Sequence, residues 1–172
     1  MEFQELIKYR ESVRNYDPGR PVPQDVLGKI LEAGRLAPSA ANRQPWKFLL
    51  VSSPEMLKKV RECYNKDWFK NAPHVLVVTG KREDAWVRHY DGYNSLETDL
   101  TIAMDHLILA AANEGVGSCW IAAFKPTVLR NALDLNDDEE VFAITPLGYP
   151  DVNYQAKHTK NRKAISEIVE YL

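Results

Sequence analysis

Apolar positions along this chain recur with two periods, and the alternation between them lays out the elements. Phe3, Leu6 and Ile7 fall at helical spacing and predict a first helix over residues 3–13. Asp17-Pro18-Gly19, followed by Pro21 and Pro23, makes residues 15–23 a turn and an extended linker. The helical period returns over residues 24–37 through Val26, Leu27, Ile30, Leu31 and Ala33, and Pro38 stops it. Residues 46–52 read as a strand. Residues 54–64 read as a short helix with proline in its first turn and Leu57 and Val60 on one side.

The second half repeats the alternation. His74-Val75-Leu76-Val77-Val78-Thr79 is a compact β-rich run, expected as a buried strand. Residues 95–114 form the longest helical segment, with Leu100, Ala103, Leu107, Ala110 and Ala111 on one face and Ile102, Ile108 and Leu109 elsewhere. A helix apolar over most of its circumference must be covered on several sides. A partner subunit is one candidate cover. Gly115 and Gly117 end the helix, residues 118–124 predict a strand, 126–133 a helix, and 141–147 a last strand closed by Gly148-Tyr149-Pro150. The tail turns polar at Asp151, and residues 164–172 predict a short terminal helix. Helices first, then strands alternating with helices, argue an α+β sandwich of sheet and flanking helices.

Composition narrows the partners. At 172 residues the chain suits one domain over residues 1–172, and a net charge of -2 provides no overall basic field for nucleic acid. Any anion site must be a local cluster. No apolar run is long enough to span a bilayer, and the first residues lack the basic and apolar segments of a signal peptide, so cytoplasmic residence is expected. Cys63 and Cys119 form no CxxC pair and are expected as small buried hydrophobes. His74, His89, His106 and His158 show no metal-ligand spacing, so no metal site is expected.

Familiar nucleotide motifs are missing. Gly115-Val116-Gly117 follows a helix and precedes a strand, the reverse of a Rossmann turn, and there is no Walker loop or nucleophile elbow. What remains is a set of clusters. Arg10, Ser12 and Arg14 are two residues apart, at or just beyond the end of the first helix; in extended backbone they share a side and could converge on one anion. A solvated surface cluster explains the same residues. Lys160-Asn161-Arg162-Lys163 is a second basic cluster, readable as a solubilising tail or, since termini often lie close together, as the other half of one phosphate site. Residues 37–46 place Ser39, Asn42 and Gln44 in a proline-bounded loop, either as local turn makers or as donors and acceptors for a heteroaromatic ring. Ala122 and Ala123 interrupt a bulky apolar run, which suits ordinary packing or close approach of a flat ligand to the backbone.

Taken in order, these segments resemble the FMN-dependent nitroreductase family across nearly the whole chain. The resemblance rests on RxSxR at Arg10 to Arg14, LAPSAxNxQPWxF from Leu36 to Phe48, and the long helix ending at Gly115. It continues with GVGSCWIAAF from Gly115 to Phe124, PLGYP from Pro146 to Pro150, and KxR at Lys160 to Arg162. It implies a sandwich with a central, mainly antiparallel sheet, an intertwined homodimer around the long helix, and FMN at the subunit interface. It further implies Arg10 and Ser12 towards the phosphate and ribityl chain, Arg14 towards the N1/O2 side of the ring, and Lys160 and Arg162 completing the phosphate site. Pro38, Ser39, Ala40, Asn42 and Gln44 would come from the other subunit. Ile121, Ala122 and Ala123 would lie along the isoalloxazine, with an alanine N–H near N5. The implied activity is hydride transfer from NAD(P)H through FMN to a nitroaromatic, quinone or similar acceptor, in turn over one flavin face. No side-chain acid or base is required for that. A flavin-binding sensor or carrier with little turnover is the alternative. The chain departs from many relatives in carrying Ala122-Ala123 where a glycine-containing or acidic version is common. Trp86, His89, Tyr90 and Tyr93 in residues 81–94 suggest a cover over the substrate pocket, or aromatics packed on the fold.

Overall fold

A computed structural model describes residues 1–157 and 160–172; His158, one of the histidines considered above, lies outside them. The apolar run of residues 74–79 becomes the strand β2 (His74–Lys81), buried almost throughout because it is central. It pairs antiparallel on one side with β1 (Trp46–Val51) and on the other with β4 (Glu139–Gly148). The two-residue β3 (Gly117–Ser118) pairs with the end of β4, so the sheet runs β1-β2-β4-β3. A register shift between Val78 and Thr79 sets Ala143 and then Val141 opposite β2, leaving Phe142 as the extra residue of a bulge.

The two-residue period of β2 divides the core. Leu76 and Val78 pack on one face with Leu27 and Ile30 of α2 (Gln24–Arg35) and Leu100, Met104 and Leu107 of α5 (Leu96–Asn113). Val75 and Val77 pack on the other face with Leu57 and Val60 of α3 (Pro54–Arg61), Phe69 of α4 (Asp67–Lys70) and Leu129 of α6 (Pro126–Leu133). The architecture is the expected helix-flanked antiparallel sheet. Each burial of a Leu or Val on these faces stabilises by roughly 1.5–3 kcal/mol relative to exposure. Cys63 and Cys119 are free and buried, as expected.

Four elements differ from the expectations. The first helix, α1, ends at Tyr9 rather than at residue 13, because the Val13 N–H is drawn off to the Ser118 carbonyl at 2.9 Å. The strand expected over residues 118–124 keeps only Ser118 in β3 and a bridge from Ile121 to Ile144, since Cys119 N–H donates to the Thr145 hydroxyl at 3.1 Å instead of a strand partner. The terminal helix reduces to a single 3-10 turn, Ile165–Glu167, with residues 161–172 exposed. An isolated helix this short is marginal without a packing partner. The one-turn α4 was not anticipated: four residues carry no readable period.

Candidate functional site

Because α1 stops at Tyr9, residues 10–14 run extended beside β3, with Ser12 bridged to Ser118 and Val13 buried. Alternation then places Arg10, Ser12 and Arg14 on the side opposite Val13. All three act on one atom. Burial pushes the Cys119 thiol above its ordinary range, and Arg14, Ser12 and Arg10 oppose that rise. The RxSxR residues thus lie along one extended segment beside Cys119.

The chain's other end is brought to the same place. Between Arg10 and Ser12, Glu11 accepts hydrogen bonds from the Tyr154 hydroxyl at 2.7 Å and the Lys157 N–H at 3.1 Å. Burial and then the Glu11 carboxylate push the Tyr154 phenol well above its ordinary range, which keeps it a donor. The tethered tail sets the Lys160 ammonium on the Ile7 carbonyl. Burial, then the charges of Arg10 and Arg162, push the Lys160 pKa down. Three cations thus crowd together in a chain of net charge -2. Among the described residues Arg10 forms no ion pair with a carboxylate. A cavity of about 100 Å³ opens beside it, lined also by Glu11, Ala112, Gly117 and Tyr154.

The proline-bounded loop takes a defined shape. Pro38 is exposed, Ser39 Oγ accepts from Gln44 N–H at 2.9 Å, and Ala40–Asn42 forms a 3-10 turn. Ala41, Asn42 and Gln44 all have positive φ, at 49, 54 and 52°. Side chains with a Cβ rarely adopt that region, so something must hold the loop there. The Ala40 N–H donates to Asp99 Oδ1 at 2.9 Å. The Gln44 side chain turns back to the Asn42 carbonyl at 3.2 Å, while Asn42 is exposed.

Ile121 is clamped to Ile144 by two backbone bonds of 2.9 and 3.1 Å, after which Ala122 and Ala123 turn outward and are exposed. Neither alanine N–H has a partner among the described residues. Residues 82–95 make a small excursion with Val87 bridged to Asn94, Gly92 at φ 74° and an Arg88–Asp91 ion pair of 2.7 Å. Trp86 is half-buried and the Tyr93 hydroxyl is hydrogen-bonded to Thr98 of α5, but Tyr90 is 84% exposed and Val87 is exposed too.

The structure sets Arg10, Ser12 and Arg14 on one extended segment and folds the tail that carries Lys160 and Arg162 back to the end of α1, where Lys160 donates to the Ile7 carbonyl. It does not join them to residues 38–44 within one chain. The loop is fastened to Asp99 in the first turn of α5, whereas the Arg10 cavity borders Ala112 and Gly115 at its far end. An α-helix of 18 residues is about 27 Å long. The residues that organise the site were not visible as such in sequence. Glu11 sat inside the basic motif, and its only signal was alternation away from Arg10 and Ser12. Asp99 looked like a first-turn acidic residue, and its signal was a carboxylate among buried apolar neighbours. Among the described residues no group of three or more metal-ligating side chains converges, and no helix is long and apolar enough to cross a membrane.

This arrangement of sheet, helices and converging cations defines a class. A family model for the Nitroreductase family matches residues 7–63 and 54–149. An Archaeoglobus fulgidus protein named as an NADH dehydrogenase/NAD(P)H nitroreductase is 34% identical over 154 residues, 87% of this chain and 86% of its own. A solved nitroreductase family protein from Clostridium difficile 630 matches with TM-score 0.90 at 34% identity, covering 99% of this chain and 98% of that one. A solved oxidoreductase containing FMN matches with TM-score 0.74 at 26% identity, over 88% of this chain and 78% of that one. The chain belongs to the Nitroreductase family, and its class is that of the nitroreductase-like oxidoreductases. The family match stops at residue 149, so Lys160 and Arg162 lie beyond it.

Proposed function

We propose that residues 1–172 form one FMN-binding domain of an NAD(P)H-dependent oxidoreductase acting as a homodimer. The observation that carries this reading is that both ends of the chain meet beside Arg10: Glu11 holds the Tyr154 hydroxyl and the Lys157 N–H, and the Lys160 ammonium donates to the Ile7 carbonyl. That arrangement suits a phosphate, whose oxygens meet arginine in paired bonds. The remaining residues fit the rest of the cofactor. Ala122 and Ala123 offer unpartnered backbone donors suited to N5, and Ser39, Asn42 and Gln44 offer polar groups on an exposed loop. Arg14, exposed in the single chain, would offer a cation to the N1/O2 side of the ring, where negative charge would be favoured by pairing with it.

When bound, FMN supplies a two-electron carrier that takes hydride from NAD(P)H and yields it to an acceptor such as a nitroaromatic or quinone, in two successive half-reactions. The protein's part is to anchor, orient and polarise. Ser12 joins Arg10 in holding the phosphate and ribityl end, Lys160 and Arg162 complete the anion site, and Pro38, Ala40 and Ile121 line the ring. Sharing the site across two copies is supported by the separation of the loop and the cation cluster along α5. Two such helices crossing antiparallel would set one copy's loop beside the other's Arg10. Exposed Phe3, Ile7 and Tyr9, and the apolar tail residues Ile165, Ile168 and Val169, are surfaces a second copy would cover. Cytoplasmic residence is the compartment we propose.

The test is the visible spectrum of the purified protein followed by anaerobic addition of NADH or NADPH. A flavin spectrum bleached by either supports the enzyme. A flavin spectrum bleached by neither favours a sensor or carrier, and a protein that stays colourless after incubation with FMN overturns the reading.

A further inference from the structure

The loop of residues 38–44, shaped by its own Ser39–Gln44 and Gln44–Asn42 bonds, is fastened to α5 by a buried carboxylate. Asp99 is 1% exposed, and its two oxygens serve different segments. Oδ1 accepts the Ala40 N–H at 2.9 Å, and Oδ2 accepts the Ser95 hydroxyl at 2.7 Å. Ser95 Oγ in turn accepts the Trp86 N–H at 3.2 Å, and the Ser95 N–H donates to the Trp86 carbonyl at 2.9 Å. One carboxylate therefore fastens the loop to α5 and, through one hydroxyl, to the start of the aromatic excursion. Among the described residues it has no cationic partner.

Why a carboxylate stands here follows from what it must satisfy. Two donors, one of them a half-buried backbone amide, point at one spot from different segments. A carboxylate is acceptor-only and offers both oxygens, so it takes both without a rotor or tautomer to choose. It lies in the first turn of α5, where acidic side chains suit the helix dipole. An apolar residue would fill the space but would leave the Ala40 N–H unpaired and untie the loop from α5.

We propose that Asp99 is a positioning residue for the flavin: it holds residues 39–44 in the shape that lines the ring and registers that loop against Trp86. This rests on the reading that the loop lines FMN. Asp99 itself touches neither ring nor substrate.

The test compares wild type, D99A and D99N as full-length apoprotein and with FMN. Asn keeps an oxygen for the Ala40 N–H, so it should rescue, whereas Ala should not. In the apoprotein, amide hydrogen exchange at Ala40 is expected to accelerate at least about 10-fold in D99A and to stay near wild type in D99N. FMN titration is expected to show Kd raised about 10-fold or more in D99A and within about 3-fold of wild type in D99N. Unchanged Ala40 exchange in D99A overturns the latch. Faster exchange with an unchanged FMN Kd overturns the positioning role while leaving the flavin reading intact. Equal loss of FMN affinity in D99A and D99N while Ala40 exchange in D99N stays at the wild-type rate also overturns it, because the Ala40 hydrogen bond would not be what matters. Wild-type protein that takes up no FMN defeats the flavin reading itself, and the positioning role with it.

Discussion

Replacing Arg10 and Arg162 by alanine probes the cation cluster most directly. A hydrogen bond in which both partners are charged contributes about 1.5–3 kcal/mol. Taking about 2 kcal/mol for Arg10 against a phosphate, R10A raises the FMN Kd roughly 30-fold, since about 1.4 kcal/mol is a factor of ten. Adding R162A extends the loss towards about 1,000-fold, and less if Lys160 moves in to compensate, because neighbouring sites do not add. Folding should be spared. Among the described residues Arg10 has no ion pair to lose, and Arg162 is exposed and donates to the neighbouring Asn161 carbonyl. Surface substitutions away from a buried network change stability by about 0.5 kcal/mol or less, so the apoprotein should keep its stability. Calorimetric titration of apoprotein with FMN at two salt concentrations reads the effect, with the wild type losing more affinity on added salt than the double variant. A double variant that purifies with the wild-type complement of FMN, or whose Kd matches wild type, refutes the phosphate assignment.

Four further outcomes are expected. E11A removes the acceptor for Tyr154 and Lys157, so the tail should become protease-sensitive beyond about residue 150, with FMN bound more weakly; an equally resistant tail would show that other contacts hold it. G80A should destabilise by about 2 kcal/mol or more in denaturant titration, because a Cβ there would lie 2.3 Å from the Pro45 carbonyl oxygen, an immovable backbone atom; a wild-type midpoint would count against that packing. Burial pushes the His74 pKa below its ordinary 6.5, and its ring accepts from Val22 N–H at 3.1 Å. The unfolded chain therefore binds the proton first, so this contribution is complete above pH 6.5 and shrinks as pH falls below it; H74Q should flatten that limb of the stability–pH curve. Light scattering should give a dimer mass, and a tight monomer that still binds FMN would end the shared-site proposal.

Much of the fold was legible because local chemistry agreed with the final structure. The β-rich run at residues 74–79, with Val75 to Val78 apolar throughout, reads as a buried strand and is one, and the periods of α2, α3, α5 and α6 match the faces they bury. The site was legible in part. Arg10, Ser12 and Arg14 announce an anion cluster only if the backbone is extended, and that was decided by the pairing of Val13 with Ser118, a contact 105 residues away. Elements lacking enough local bonds to stand alone, the strand end at residues 119–124 and the terminal helix, were misread for the same reason.

By itself, then, the sequence determined the layers of the sandwich, the absence of the familiar nucleotide motifs and the residue types available for an anion. Those follow from period and composition, which act over a few neighbours. Tertiary structure alone decided that Glu11 ties the tail down beside Arg10, that Asp99 fastens the loop to α5, and that loop and cations lie at opposite ends of that helix. The physical reason is that a hydrogen bond or a charge contact is made in space between groups far apart in the chain. No local pattern records which buried carboxylate will meet which amide.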